Sequence, residues 1–438
     1  MLAQTYISGR TSVNIAASIE TAIATGRAAA GQPLPPVRAL AAARGVSAAT
    51  VVAAYRLLRD RGLVVADGRR GTRIRGSAMR DIVTAPLPSG IRDLASGNPD
   101  PALLPSLEKA MARVDLSPRL YGQDINHPPL LALASEQFAE DGVRGAVSVV
   151  SGALDGIERV LREHVRPGDR VLVEDPCFSG ILDILATLAL TPVPVEVDDE
   201  GPRPESLRSA LTRQAAAFVL TPRAQNPTGA SISPRRQRTL RAMLRARPDM
   251  LIVEDDHAGP IAGAPYCTLT DPARPHWAVV RSVSKSLGPD LRLAVMASDT
   301  TTAARIARRQ TTGIRWVSHL LQQLVAALWR DRGVSRALQV AEASYAERRK
   351  VMIEELAQRG IEAHGRSGLN VWIPVPEEAS VVQGLMQRGW GAMAGGRYRL
   401  TTGPAVRVTA AALEKNDARR FAEDLASILR PDGRSSSS

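Results

Sequence analysis

The chain has 438 residues, of which 44% are hydrophobic and 23% charged, enough for two or three folded domains of ordinary globular composition. No apolar run reaches membrane-spanning length, and the N-terminus has no basic segment leading into an apolar one, so neither a membrane span nor a secretory signal is expected. Two cysteines, Cys177 and Cys267, make no disulfide framework and lie in no metal-ligand spacing, which points to a reduced, cytoplasmic protein without a metal site. The net charge of +12 is unevenly placed. Residues 1–90 hold twelve arginines, no lysine and four acids, a net +8. A basic module on a nearly balanced body suggests a polyanionic partner, although a solvated basic face has the same composition.

In chain order, Ser12 to about Ala24 is predicted as a helix, with Ile15, Ile19 and Ile23 along one face. After a Gly/Pro-rich break, a short helix is expected over Val37–Arg44, ended by Gly45. A longer one follows over about Ala48–Arg61, with Val51, Tyr55 and Leu58 inward. Ser47 and Thr50 stand at its N-terminal end. Leu63–Val65 and Thr72–Ile74 are expected strands joined by the basic turn Asp67-Gly-Arg-Arg-Gly71. Helix, helix, glycine turn, helix and basic hairpin make a winged helix-turn-helix, whose second turn helix enters a major groove.

The stretch LPPVRALAAARGVSAATVVAAYRLLRDRGLVVADGRRGTRI resembles the DNA-binding domain of GntR-type bacterial regulators. The resemblance implies double-stranded DNA contacts by Arg38, Ser47, Thr50, Arg69, Arg70 and Gly71. Ala48 and Ala49 depart from it, because such domains often carry polar or basic residues there. This domain is assigned residues 1–76, and residues 77–91, with two prolines and no periodicity, read as a linker.

From Ile91 strands and helices alternate. Strands are predicted at Val147–Val150, Arg170–Val173, Pro194–Val197, Ala216–Leu220, Met250–Val253, Trp277–Val280 and Arg292–Ala297, which makes an α/β domain with a large, mostly parallel sheet. Ligands of such sheets bind beyond the carboxyl ends of the strands. There stand Ser151-Gly152-Ala153, Asp175-Pro-Cys-Phe178, Asn226-Pro-Thr-Gly229, Glu254-Asp255-Asp256-His257 and Arg281-Ser-Val-Ser-Lys285. Singly these are ordinary caps and turns. Together they suggest a phosphate cradle, an aromatic face and a lysine able to form a Schiff base with an aldehyde cofactor.

That order of motifs resembles the fold-type I pyridoxal phosphate enzymes of the aspartate aminotransferase family, over about residues 92–430. The resemblance implies pyridoxal 5'-phosphate joined to Lys285. Asp255 is then paired with the pyridine nitrogen, Asn226 with the 3-oxygen, and Phe178 is stacked on the ring. Gly152, Ala153, Ser282 and Arg292 hold the phosphate, and Arg407 takes a substrate or effector carboxylate. Tyr121 matches a tyrosine that reaches the phosphate of the neighbouring subunit, which implies a homodimer. His257 stands where the family has a tyrosine donating to the 3-oxygen. An imidazole can donate too, but it titrates near neutrality. Residues 92–334 are assigned to the large cofactor domain, 335–430 to a smaller C-terminal α/β domain, and 431–438 to a disordered tail.

A GntR-type winged helix followed by an aminotransferase-like domain resembles the MocR family of bacterial transcriptional regulators. The resemblance implies a pyridoxal phosphate-dependent regulator whose DNA affinity responds to the cofactor or to an amine, amino acid or B6 vitamer. The alternative is a working aminotransferase that carries a DNA-binding domain.

Overall fold

A computed structural model describes residue 2 and residues 4–24, 27–28, 31–60, 63–66, 71–74 and 87–430. The chain divides into two compact units. One comprises Met1–Thr84 with Arg166–Asp169 and Leu182–Thr191, and the other comprises the rest.

In the first unit the helix Ser12–Ala24 buries Ile15 and Ile19. The helix Val37–Arg44 ends at Gly45, whose left-handed conformation (φ 62°, ψ 40°) suits glycine and lets its N–H reach back to the last turn. The next helix, Ala48–Asp60, is bent by 116° from its predecessor, within the usual range of a helix-turn-helix. Ser47 caps its start by accepting the Thr50 N–H at 3.1 Å. Val51, Ala54, Tyr55 and Leu58 face inward, and the buried Tyr55 hydroxyl donates to Pro35 O at 2.7 Å. Strands Val64–Ala66 and Thr72–Ile74 pair antiparallel. The turn between them, with Arg69 and Arg70, lies outside the described residues, as do most of the expected linker and the expected tail.

The second unit is built on an eight-stranded sheet. In spatial order the strands are Ala146–Val150, Ala294–Ser298, Trp277–Ser282, Leu251–Asp256, Ala217–Leu220, Arg170–Asp175, Thr191–Asp198 and Gly201–Pro202. The central four are parallel, whereas Ala294–Ser298 runs antiparallel to both neighbours, so the sheet is mixed. Leu251–Asp256 and Trp277–Ser282 are buried at every position, as strands covered on both faces require. The strand expected from Arg292 begins at Ala294. Arg292 itself takes a left-handed turn (φ 42°) that a strand cannot contain.

A second, smaller core gathers around the antiparallel strands Asn370–Pro374, Ala405–Thr409 and Met393–Ala394, with helices Glu378–Gln387 and Lys415–Leu429. The two-residue strand Arg92–Asp93 pairs with Trp390–Gly391, and Leu94 is buried in this smaller core. The 26-residue helix Arg332–Ala357 serves both cores. Its first half puts Val334, Leu338, Ala341 and Tyr345 into the large one, and its second half puts Met352 and Leu356 into the small one.

The end of Leu251–Asp256 is fixed by charge. Asp256, fully buried, accepts from Arg223 at 2.9 Å through both oxygens and from Arg281 Nε at 2.6 Å. Arg281 also donates to Asp141 at 2.5 Å, and its guanidinium lies 4.7 Å over the Phe138 ring. Burial alone raises the pKa of Asp256, but Arg281 and Arg223 more than reverse this and hold it well below the ordinary carboxylate range. The stabilisation is therefore complete above about pH 4 and is lost only as pH falls through the depressed folded value. Asp256→Ala leaves two buried guanidinia without their shared anion, and we expect it to cost about 3–5 kcal/mol. A fall in the thermal midpoint of the second unit at neutral pH, followed by near-UV circular dichroism, checks this.

Candidate functional site

The site forms at the carboxyl ends of the central strands, where side chains leave the sheet with no further backbone to cover them. Lys285 follows Trp277–Ser282 in a tight loop, and its Nζ donates to Gly97 O at 2.7 Å. Burial, and then the nearby Arg407 charge, lower its pKa to about 8. Asp255 is the last residue but one of the adjacent strand. It is 4% exposed, its Oδ1 has no hydrogen-bond partner, and burial, then Asp256, raise its pKa to about 7. Adjacent acids thus have opposite fates. Asp256 is saturated by arginines on one face of the strand, and Asp255 is left with an open acceptor on the other.

Asn226 Oδ1 accepts from Arg407 Nη1 at 3.3 Å and Asn370 Nδ2 at 3.4 Å. Arg407 is 3% exposed, also donates to Ala95 O, and lies 5.2 Å over the Tyr398 ring. Gly97 suits its place because its φ of +72° is one that L side chains rarely adopt; a Cβ there would make only ordinary contact, 3.5 Å, with the terminal nitrogens of Arg407. Phe178 is half-buried and packs against Trp372, Tyr398 and Ala405. Asp175, just before it, anchors the facing loop by accepting the N–H groups of Leu400, Thr401 and Thr402 and both threonine hydroxyls.

Gly152 (φ +96°) precedes the helix Ala153–His164 with no side-chain cap, so the first N–H groups of that helix remain open to an anion. A Cβ at Gly152 would meet the Arg292 guanidinium at 2.9 Å, so backbone and guanidinium form one cradle. Ser282 is buried at the end of the strand Trp277–Ser282 and accepts the Ser284 N–H at 3.1 Å. His257 keeps part of its surface, yet burial and then Lys285 lower its pKa to about 4. The expected titration near neutrality is therefore corrected: the imidazole is neutral there. Tyr121 is 77% exposed, with its ring 5.6 Å from Trp316.

In the first unit Arg38, Ser47 and Gly71 are exposed and Thr50 is partly buried, while Arg69 and Arg70 lie outside the described residues. Gly97, Asn370 and Tyr398 are absent from the sequence-derived site. Ser96-Gly97-Asn98-Pro99 reads as a turn, and nothing local ties any of the three to Lys285.

Residues 89–425 match the family described as aminotransferase class I and II, and residues 11–74 match the bacterial regulatory proteins of the gntR family. The vitamin B6 salvage pathway transcriptional repressor PtsJ of Salmonella typhimurium is 39% identical over 427 residues, 97% of this chain and 99% of that protein. The chain belongs to the MocR family of transcriptional regulators. This MocR regulator is also 28% identical over 405 residues to the HTH-type transcriptional regulator TauR of Rhodobacter capsulatus, covering 81% of this chain and 82% of TauR. Among solved structures it resembles LysN, the alpha-aminoadipate aminotransferase of Thermus thermophilus. The TM-score is 0.70 at 24% identity, over 81% of this chain and 95% of LysN, a likeness that speaks for the fold.

The cofactor of this MocR regulator is pyridoxal phosphate. The site fits it on its own terms: an amine held near its working pKa, a buried carboxylate oxygen without a donor, and a glycine–arginine cradle at an open helix start. A lowered pKa places more of the nucleophilic neutral amine at a given pH. In the cofactor-free protein the Lys285 amine should therefore be half-reactive near pH 8 rather than about 10.4, the value of a free lysine. Competitive acetylation read by peptide mass spectrometry measures this. Arg407→Gln should raise the midpoint but leave it below that of a free lysine, because burial is the larger cause.

Proposed function

We propose that Lys285 holds the cofactor aldehyde covalently, Asp255 faces the ring nitrogen, and Asn226 and His257 face the 3-oxygen. In this reading Phe178 covers the ring, Gly152, Ala153, Ser282 and Arg292 hold the phosphate, and Arg407 receives an effector carboxylate. The observation that carries the reading is the buried Asp255 oxygen without a donor, one strand away from a half-buried lysine amine. Bound there, the cofactor supplies an aldehyde for exchange with a primary amine and an electron-accepting ring. The chain's own groups do the rest. Asp255, given a cationic donor, stays a carboxylate and keeps the proton on that donor. Neutral His257 donates one N–H without adding charge. Arg407, already oriented by Asn226 and Ala95, offers a guanidinium to a carboxylate.

The output is DNA binding. Arg38, Ser47, Thr50, Arg69, Arg70 and Gly71 are assigned to the duplex, in a domain spanning residues 1–76. The description of PtsJ, at 39% identity over 97% of this chain, supports vitamin B6 salvage as the regulated process. The effector is an amine, an amino acid or a B6 vitamer, which acts by differential affinity for two conformations. We place the protein in the cytoplasm as a homodimer. Met111, Leu116, Leu120, Tyr121, Ile314 and Leu320 are 50–77% exposed, and Tyr121 is free to serve a neighbouring subunit.

A second reading, residual aminotransferase turnover, is favoured by the Arg407–Asn226 pair, which leaves the carboxylate clamp formed. Steady-state assays with a panel of amino donors and keto acids decide between the two; the regulatory reading expects turnover far below that of metabolic transaminases, about 1–1000 per second.

The wild-type protein should show a visible absorption band that Lys285→Ala lacks, and an unchanged band in that variant refutes the assignment. Arg38→Ala should weaken binding to all duplexes and reduce the slope of log affinity against log salt by about one unit if it meets a phosphate. Ile314→Glu with Leu320→Glu should convert the dimer to a monomer by light scattering.

A further inference from the structure

The helix Ala48–Asp60 buries Val51, Ala54, Tyr55 and Leu58 and turns Ala48, Ala49, Val52 and Arg56 outward. Ala48 and Ala49 lie four and three residues before Val52, and Arg56 lies four after it, so the positions form one stripe. Val52 is 53% exposed. Ser47 Oγ lies 2.9 Å from Thr50 Oγ1 and accepts the Thr50 N–H, which leaves one of the two hydroxyl hydrogens at the helix start still able to donate. The outward stripe beside them, Ala48, Ala49 and Val52, presents methyl groups rather than donors or acceptors. An apolar stripe is also what a protein partner takes, but here it sits in a segment of net charge +8 with exposed Arg38, Arg56 and Arg59 around it. Such a surface draws a polyanion. In the major groove the apolar feature of a base edge is the 5-methyl group of thymine.

We propose that Ala49 and Val52 read thymine through its methyl group, so that the operator carries thymines under the first two turns of this helix. The proposal rests on the DNA-binding reading of residues 1–76. It gives the departure at Ala48-Ala49 a positive role: specificity there comes from apolar contact.

The test uses duplexes enriched from a random pool by the full-length protein. Each thymine is replaced in turn by deoxyuridine, which removes one methyl group and leaves every hydrogen-bonding atom. Thymines under Ala49 and Val52 should lose about fourfold in affinity, the equivalent of about 0.8 kcal/mol for a buried methyl carbon at about 1.4 kcal/mol per tenfold. Val52→Ala removes both γ-methyl groups, and it should abolish the deoxyuridine penalty at one of those positions while other thymines keep theirs. Equal binding of thymine and deoxyuridine duplexes at every position overturns the proposal, as does an unchanged pattern in Val52→Ala. Failure to enrich any duplex instead overturns the DNA-binding reading beneath it. Circular dichroism checks that the variant is folded, and the deoxyuridine arm needs no variant.

Discussion

Asp256 between Arg223 and Arg281 is the interaction on which the second unit most depends. Three charges are buried together, and each is tolerable only because the others are there. The pair of guanidinia also reaches Asp141, which ties the strand end to the helix Pro128–Glu140. With the strand end immobilised on that face, Asp255 is held on the opposite face with one oxygen open. The negative charge of Asp256 contributes to the raised pKa of Asp255, so the same cluster that stabilises the fold also primes the open acid for a cationic donor.

A second constraint joins the two cores. Ser367, fully buried, accepts the Ala224 N–H at 2.8 Å and donates to Gly229 O at 3.0 Å, while a Cβ at Gly368 would strike Ala224 at 2.5 Å. Arg349, itself buried, donates to the carbonyls of Gly365 and Gly368 and holds that loop closed. The turn carrying Asn226 is thereby locked to the strands carrying Asn370 and Arg407. A clamp assembled from two cores needs such a seam, because an error of an ångström at Asn226 would misdirect the Arg407 guanidinium.

The first unit works under a different economy. It has a small core of aliphatic side chains around Ile15, Ile19, Val51 and Leu58 and a surface dominated by arginine. Arginine keeps its charge at any physiological pH and contacts phosphate in a fixed fork, so affinity there is electrostatic and salt-dependent. In the proposed reading, discrimination between sequences comes largely from the few side chains that face outward on the helix Ala48–Asp60.

The sequence by itself determined the order and kind of the elements and a set of candidate site residues. Periodicity placed Ser12–Ala24 and Val37–Arg44, and the apolar runs placed the central strands, because burial on both faces leaves a plain hydrophobic signature. Lys285, Asp255, Asn226, Gly152 and Arg407 could be named as candidates because each stands in a motif at a strand or helix end. What only the tertiary structure decided lies between residues far apart in the chain. Gly97 meets Lys285 and Arg407 across 188 residues and more, Tyr398 lies beneath Arg407, and Arg223 and Arg281 converge on Asp256. The charge state of His257 was likewise out of reach, since it is set by burial and by Lys285 rather than by neighbours in sequence. Local patterns record which face of an element is apolar; they carry no record of which distant carbonyl or charge that face will meet, and those meetings set the pKa values on which the site depends.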